Sequence, residues 1–186
     1  WLAIGLGFAA AVSAAKKEEP AASDAAQARV YNAAPGEALM KVSQAPSGDA
    51  VARFLKSKGA SAESVATLKS VSRKPSARTG VTHVRYEQEV AGLRVEGAYV
   101  KAAFDRRGDL VHLIDRLAAV SGRPTPATIS DAQALAATLA ALHEDQATPA
   151  FVVRKGNVAA FEKGKFFYKA PTVERVAIPG KGGSLQ

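Results

Sequence analysis

The sequence predicts an α+β protein made of two small units, each a helix lying on a curved antiparallel sheet. Three observations carry that prediction. Apolar and polar side chains alternate through Val81–Val90 with the period of two of a half-buried strand. The runs that follow are joined by short turns containing Gly92 and Gly108, as in an antiparallel meander. Helical spacing occurs twice, near residues 49–58 and 130–142, each time ahead of strand-like runs, giving the order helix, meander, helix, meander.

Residues 1–15, WLAIGLGFAAAVSAA, carry no charge. They are shorter than the roughly 20 apolar residues that span a bilayer and match the apolar region of a signal peptide, with Val12-Ser13-Ala14 or Ser13-Ala14-Ala15 suited to signal peptidase. The competing reading, a buried core helix, is disfavoured by the abrupt Lys16-Lys17-Glu18-Glu19-Pro20. No Met and no basic segment precede Trp1, so the chain is expected to be truncated at its start. Export, and a secreted location, follow from this reading. Residues 16–46 read as a linker or N-terminal extension, with one short strand near Ala38–Val42.

Residues 47–120 form the first expected unit. Val51, Phe54, Leu55 and Lys58 fall on helical spacing and Gly59 is a natural stop. A short second helix starts at Ser61, and Leu68–Val71 is a strand. In the next strand Val84, Tyr86, Gln88 and Val90 share one face, whereas His83, Arg85, Glu87 and Glu89 share the other. Ala91-Gly92 makes a tight turn. The following strand changes phase: Leu93 and Val95 have one parity, Val100, Ala102 and Phe104 the opposite, so a bulge or bend is placed at Gly97. Residues 105–109 form a hairpin loop with Gly108 at positive φ, and Leu110–Leu117 is the next strand. The expected core is Val84, Tyr86, Val90, Leu93, Val95, Val100 and Phe104.

Residues 121–186 form the second unit, expected to be truncated at its C-terminal end. Ser130 and Gln133 are a capping-box pair opening a helix lined by Leu135, Leu139 and Leu142. Strands are expected at Ala150–Arg154, Val158–Phe161, Lys165–Lys169 and Val173–Ile178, with turns at Gly156, Gly164 and Gly180.

The chemistry that these residues exclude is broad. The 186 residues contain no Cys, which rules out disulfides and thiolate metal sites. Of three His, His143 is followed by Glu144 and Asp145 but by no second His one turn on, so the helical zinc-protease motif is missing. His83 and His112 are placed to approach across a sheet but have no obvious third ligand; His83 reads as an edge or interface residue. Glu87 and Glu89 read as a solvated strand face. No nucleophile elbow occurs, and the Gly-Lys-Gly-Gly at 180–183 opens no helix that would cradle phosphate. The net charge of +8 is concentrated late: residues 151–186 carry Arg154, Lys155, Lys163, Lys165, Lys169, Arg175 and Lys181 against Glu162 and Glu174. Because these bases are scattered along strand-like segments, an acidic protein partner fits better than nucleic acid, with Lys163, Lys165 and Lys169 as candidate contacts.

Residues 79–117, TGVTHVRYEQEVAGLRVEGAYVKAAFDRRGDLVHLIDRL, resemble the fungalysin/thermolysin propeptide domain. The resemblance rests on Gly80, His83, Val84, Tyr86, Gln88, Gly92, Leu93, Val95, Gly97, Asp105 and Gly108, with support from the upstream helix and from ISDAQALAATLAAL and the FFYKAPTVERVAIPGKGGSLQ tail. It implies a cystatin-like architecture, with a second, PepSY-like unit over residues 121–186. One departure is Arg94, where the family usually has Pro. The resemblance further implies the propeptide of a secreted, fungalysin-type zinc metalloprotease precursor. Such a segment acts as intramolecular chaperone and active-site inhibitor until cleaved. It has no catalytic residue, metal or cofactor of its own, zinc belonging to the partner protease domain. No nucleic-acid partner and no stable membrane span after signal cleavage are expected. A free-standing protease-inhibitor module of the same fold is the alternative, and a hydrolase in its own right is a third reading.

Overall fold

The computed structural model of the protein describes residues 27–41, 48–143, 146–180, 182 and 184–186; the signal-like stretch and the linker residues before 27 lie outside these. The fold is α+β. Its elements are β1 (Arg29–Asn32), α1 (Gly48–Ser57), α2 (Ala62–Ala66), β2 (Leu68–Pro75), β3 (Thr82–Val90), β4 (Leu93–Phe104), β5 (Leu110–Arg116), α3 (Asp131–Leu142), β6 (Phe151–Lys155), β7 (Val158–Phe161), β8 (Thr172–Glu174) and β9 (Val176–Ala177).

In α1 the apolar stripe is Ala50, Val51, Phe54 and Leu55, all buried. Asp49 in the first turn and Lys56 in the last complement the helix dipole. Gly59, at φ +90°, ends the helix in a conformation that costs other residues strain. Ser61 caps α2 by accepting a hydrogen bond from the Ser64 amide. Both helices cover one face of a sheet ordered β1-β5-β4-β3-β2. The β3–β5 portion is the expected meander, and β2 adds to it antiparallel beside β3. Val84, Tyr86, Val100, Phe104, Leu110 and Leu113 from the sheet meet Val51, Phe54 and Leu55 from α1 in one core. The strand expected near Ala38–Val42 is reduced to a bridge between Met40 and Leu110. The paired strand of that region lies earlier, at β1, where Tyr31 packs edge-on against Phe54 with ring centroids 5.2 Å apart.

The phase change in β4 is present. Glu87 pairs with Tyr99 but Glu89 pairs with Arg94, so residues 95–98 of β4 stand opposite the single residue Gln88. Gly97, at φ +70°, takes the bend. Val95 thereby leaves the first core and joins a second, with Ala98, Ala118, Val120, Ala177 and Leu185. Val90 and Leu93, expected in the core, are only partly buried and lean on this second cluster.

The C-terminal stretch divides between two sheets. β6, β7 and β8 form a three-stranded antiparallel sheet on which α3 packs through Leu135 and Leu139 against Ala159 and Phe161. β9 instead pairs parallel to β4, at Arg94–Val95, beyond the point where β5 ends. Three expectations are corrected here. Leu142 is 68% exposed, because the third cluster is filled by Leu135 and Leu139, two turns and one turn earlier. Lys165–Lys169 is turn and bend rather than strand: β7 is already paired on both edges, and Phe166 packs against His143 and Phe167 instead. The single strand expected at Val173–Ile178 is split at Arg175, whose side chain turns to Asp131.

Candidate functional site

Most of the motif residues are occupied with holding the fold. Val84, Tyr86 and Val95 are buried core residues. Gly80, Gly92, Gly97 and Gly108 all have positive φ; at Gly80 a Cβ would also run into the side chain of Arg106. Asp105 closes the β4–β5 loop: its Oδ1 accepts hydrogen bonds from the amides of Arg107 and Asp109, each at 2.9 Å. Burial tends to raise its pKa, but these two amides and the Arg107 side chain outweigh that and lower it. Gln88 is fully buried. Its amide nitrogen donates to the Ala118 carbonyl and the Thr67 hydroxyl, both at 3.1 Å, and its Oε1 accepts from the Ala118 amide at 2.7 Å.

His83 is the exception. Its side chain is exposed on the sheet face opposite α1 and makes no hydrogen bond or ion pair among the described residues. The strand register sets its neighbours. One row across the five strands runs Lys74, His83, Ala103, His112, Asn32. The next, two residues along, runs Ser72, Arg85, Lys101, Ile114, Val30. His83 and His112 therefore share a row, as the strand pattern suggested, but Ala103 stands between them. His112 Nδ1 instead lies 2.6 Å from Asn32 Oδ1. No group of three or more His, Cys, Asp or Glu is placed to hold a metal ion among the described residues. Most of the two rows, but not Ala103, Asn32 or Val30, line a groove of about 340 Å³. Arg85 and Lys101 lie over the Tyr99 ring, 5.2 and 5.1 Å from its centroid, and Arg85 also pairs with Glu87 at 2.9 Å.

Lys163, Lys165 and Lys169 are all exposed on the loop between β7 and β8. They sit on a turn and bend, not along one strand, so strand alternation does not align them. Exposed apolar side chains occur near them in sequence: Phe166 at 48% and Tyr168 at 90%.

Contacts that join the two sheets lie outside what the sequence reading singled out as functional. Arg94 reaches Glu174 through Nε and Nη2, both at 3.2 Å, a forked ion pair. Asn157 donates to the carbonyl of Gly92. Within the three-stranded sheet and its helix, buried Asp131 at the start of α3 receives both Arg154 and Arg175, the latter at 2.9 Å. No periodic signal marks such long-range partners.

Residues 66–117 match the Fungalysin/Thermolysin Propeptide Motif. That span covers the end of α2, β2–β5 and the residue after them, and so contains every motif residue discussed above together with both rows of the groove except Asn32 and Val30. No curated protein matches the chain. The matched segment is a propeptide motif and not a catalytic domain. No helix among the described residues is long and apolar enough to cross a membrane.

Proposed function

We propose that the protein is the propeptide of a secreted zinc metalloprotease of the fungalysin type, acting as intramolecular chaperone and active-site inhibitor until it is cleaved away. The observation that carries this reading is the propeptide motif over residues 66–117, whose residues serve packing, turns and loop closure rather than a reaction. The zinc of such a precursor belongs to the protease domain. Residues 1–15, read as a signal peptide, agree with export. Residues 47–120 and 121–186 are proposed as a motif-bearing unit and a PepSY-like unit, held together by the contacts of Arg94, Asn157 and β9.

The physical logic is that of a tethered inhibitor. While covalently attached, it meets the protease at high effective concentration; once cut, it loses that advantage. The basic C-terminal region, with Lys163, Lys165 and Lys169 as proposed contacts, would speed encounter with an acidic partner over a Debye length of about 8 Å at physiological ionic strength. The test is titration of the mature cognate protease with this chain at low and high salt. Inhibition is expected, with association slowed by salt more than dissociation is hastened. Replacing the three lysines by Gln is expected to slow association. An absence of inhibition at micromolar concentration would defeat the propeptide reading for the separate chain. An unchanged association rate in the triple variant would remove the steering role alone.

A further inference from the structure

The open face of the first sheet carries a site that the propeptide reading does not assign. Its two central rows bring together Lys74, His83 and His112 in one, and Arg85 and Lys101 in the other, from four strands. None of the ten positions in these rows is a carboxylate. Arg85 is partly neutralised by Glu87, but Lys74 and Lys101 are exposed and have no ion pair among the described residues. Val84 and Ala102 line the groove between these charged side chains, and Ile114 gives it an apolar wall. The face therefore offers unpaired cations, imidazole nitrogens and a shallow apolar floor.

We infer that this groove binds an extended acidic polypeptide segment with carboxylate side chains at alternate positions. The spacing makes the argument. Residues on one face of a strand repeat every two positions, about 6.8 Å apart, so the His83 and Arg85 rows are separated by that distance. An extended peptide running along the strands presents its own alternate side chains at the same interval. One carboxylate then meets Lys74 and His83, and the next meets Arg85 and Lys101. The apolar stems of the lysines and Ile114 cover the intervening backbone. Nucleic acid is the other polyanion to consider, but Tyr99, the aromatic beside the two rows, is already covered by Arg85 and Lys101 and so is not free to stack on a base.

The test uses the isotope-labelled chain and two synthetic peptides, acetyl-(Glu-Thr)3-amide and its uncharged counterpart acetyl-(Gln-Thr)3-amide, followed by NMR at low salt. Chemical-shift changes confined to β2–β5 and centred on His83, Lys101 and His112 are expected with the Glu peptide and not with the Gln peptide. In Lys74→Gln/Lys101→Gln, whose changes are exposed and spare the core, the dissociation constant is expected to rise about tenfold. Lys101→Arg should keep most of the affinity. Three results would overturn the proposal: no shifts at millimolar peptide, equal binding by the double variant, or tighter binding of a single-stranded hexanucleotide to the same residues. Because no protease is present, this result is independent of whether the chain inhibits one.

Discussion

Gln88 pairs with Ala118 as one peptide group pairs with another, donating to its carbonyl and accepting from its amide. Gln88 pairs with Leu68 of β2 but stands opposite the bulge of β4, where the β3–β4 ladder has no partner for it, and its side chain fastens the segment after β5 to the sheet. Gln88→Met preserves volume but leaves buried groups of Ala118 and Thr67 without partners. A loss of about 2–4 kcal/mol is expected in urea unfolding. A loss below about 0.5 kcal/mol would mean that water or a shifted backbone replaces these bonds.

The Arg94–Glu174 fork joins the two sheets at the surface, with side chains 34% and 44% exposed. The Glu174 hydrogen bond raises the Arg94 pKa against the effect of partial burial, so the guanidinium stays charged throughout the accessible range. A double-mutant cycle with Arg94→Ala and Glu174→Ala should give a coupling of about 0.5–1 kcal/mol that shrinks at high salt. Zero coupling would show that the sheets are held together by β9, the second core and the Asn157–Gly92 contact instead.

Asp105 supplies a pH dependence with a definite sign. Its folded pKa lies below the usual aspartate value of 3.8, so its contribution is present above that value and is lost as pH falls through the lower, folded one. Asp105→Asn should therefore be less sensitive than the parent chain to acidification in this window. Thermal midpoints followed from neutral pH down to about pH 2.5 test this. Parallel curves for the two proteins would exclude the role of the loop carboxylate.

Phe104 is fully buried at the end of β4, in the core beneath α1. Phe104→Ala should cost about 3–5 kcal/mol. A cost under about 1 kcal/mol would mean that the loop and helix collapse into the space.

Asp131 is 6% exposed and is held by Arg154 from β6 and by Arg175 from the break between β8 and β9. Asp131→Asn keeps the shape but removes the charge that these two guanidiniums share. A loss of about 1–3 kcal/mol is expected in urea, with the spectrum of the first sheet unchanged. If the first sheet loosens as well, the two sheets unfold as one cooperative body.

What could be read from the sequence depended on the range of the signal. β3 and β4 were legible because alternation over many residues fixes which face is buried, and the single change of phase fixed the bend at Gly97. The capping box at Ser130 and Gln133 was legible because both halves lie within one turn. Gln88 was in phase with Val84 and Tyr86, but its partner lies thirty residues on in a segment without periodicity. β1 and β9 are too short, at four and two residues, to carry a pattern, and owe their conformation to strands already in place. The Lys165–Lys169 stretch is rich in aromatic residues, as strands are, yet β7 has no free edge to receive it. The rows around His83 required the register of five strands, which no local pattern encodes.

The late arrival of β9 sets an order of assembly. Strands β2–β5 are joined by short turns and need only neighbouring residues, so they can pair as soon as they are made. The far end of β4, in contrast, waits for a partner some eighty residues downstream, at the same place where Arg94 waits for Glu174. Until then Val95 and Ala98 have no cover from Ala177 or Leu185. At a synthesis rate of about 5–20 residues per second, the stretch from β5 to β9 takes several seconds to make, so this seam cannot be closed before then.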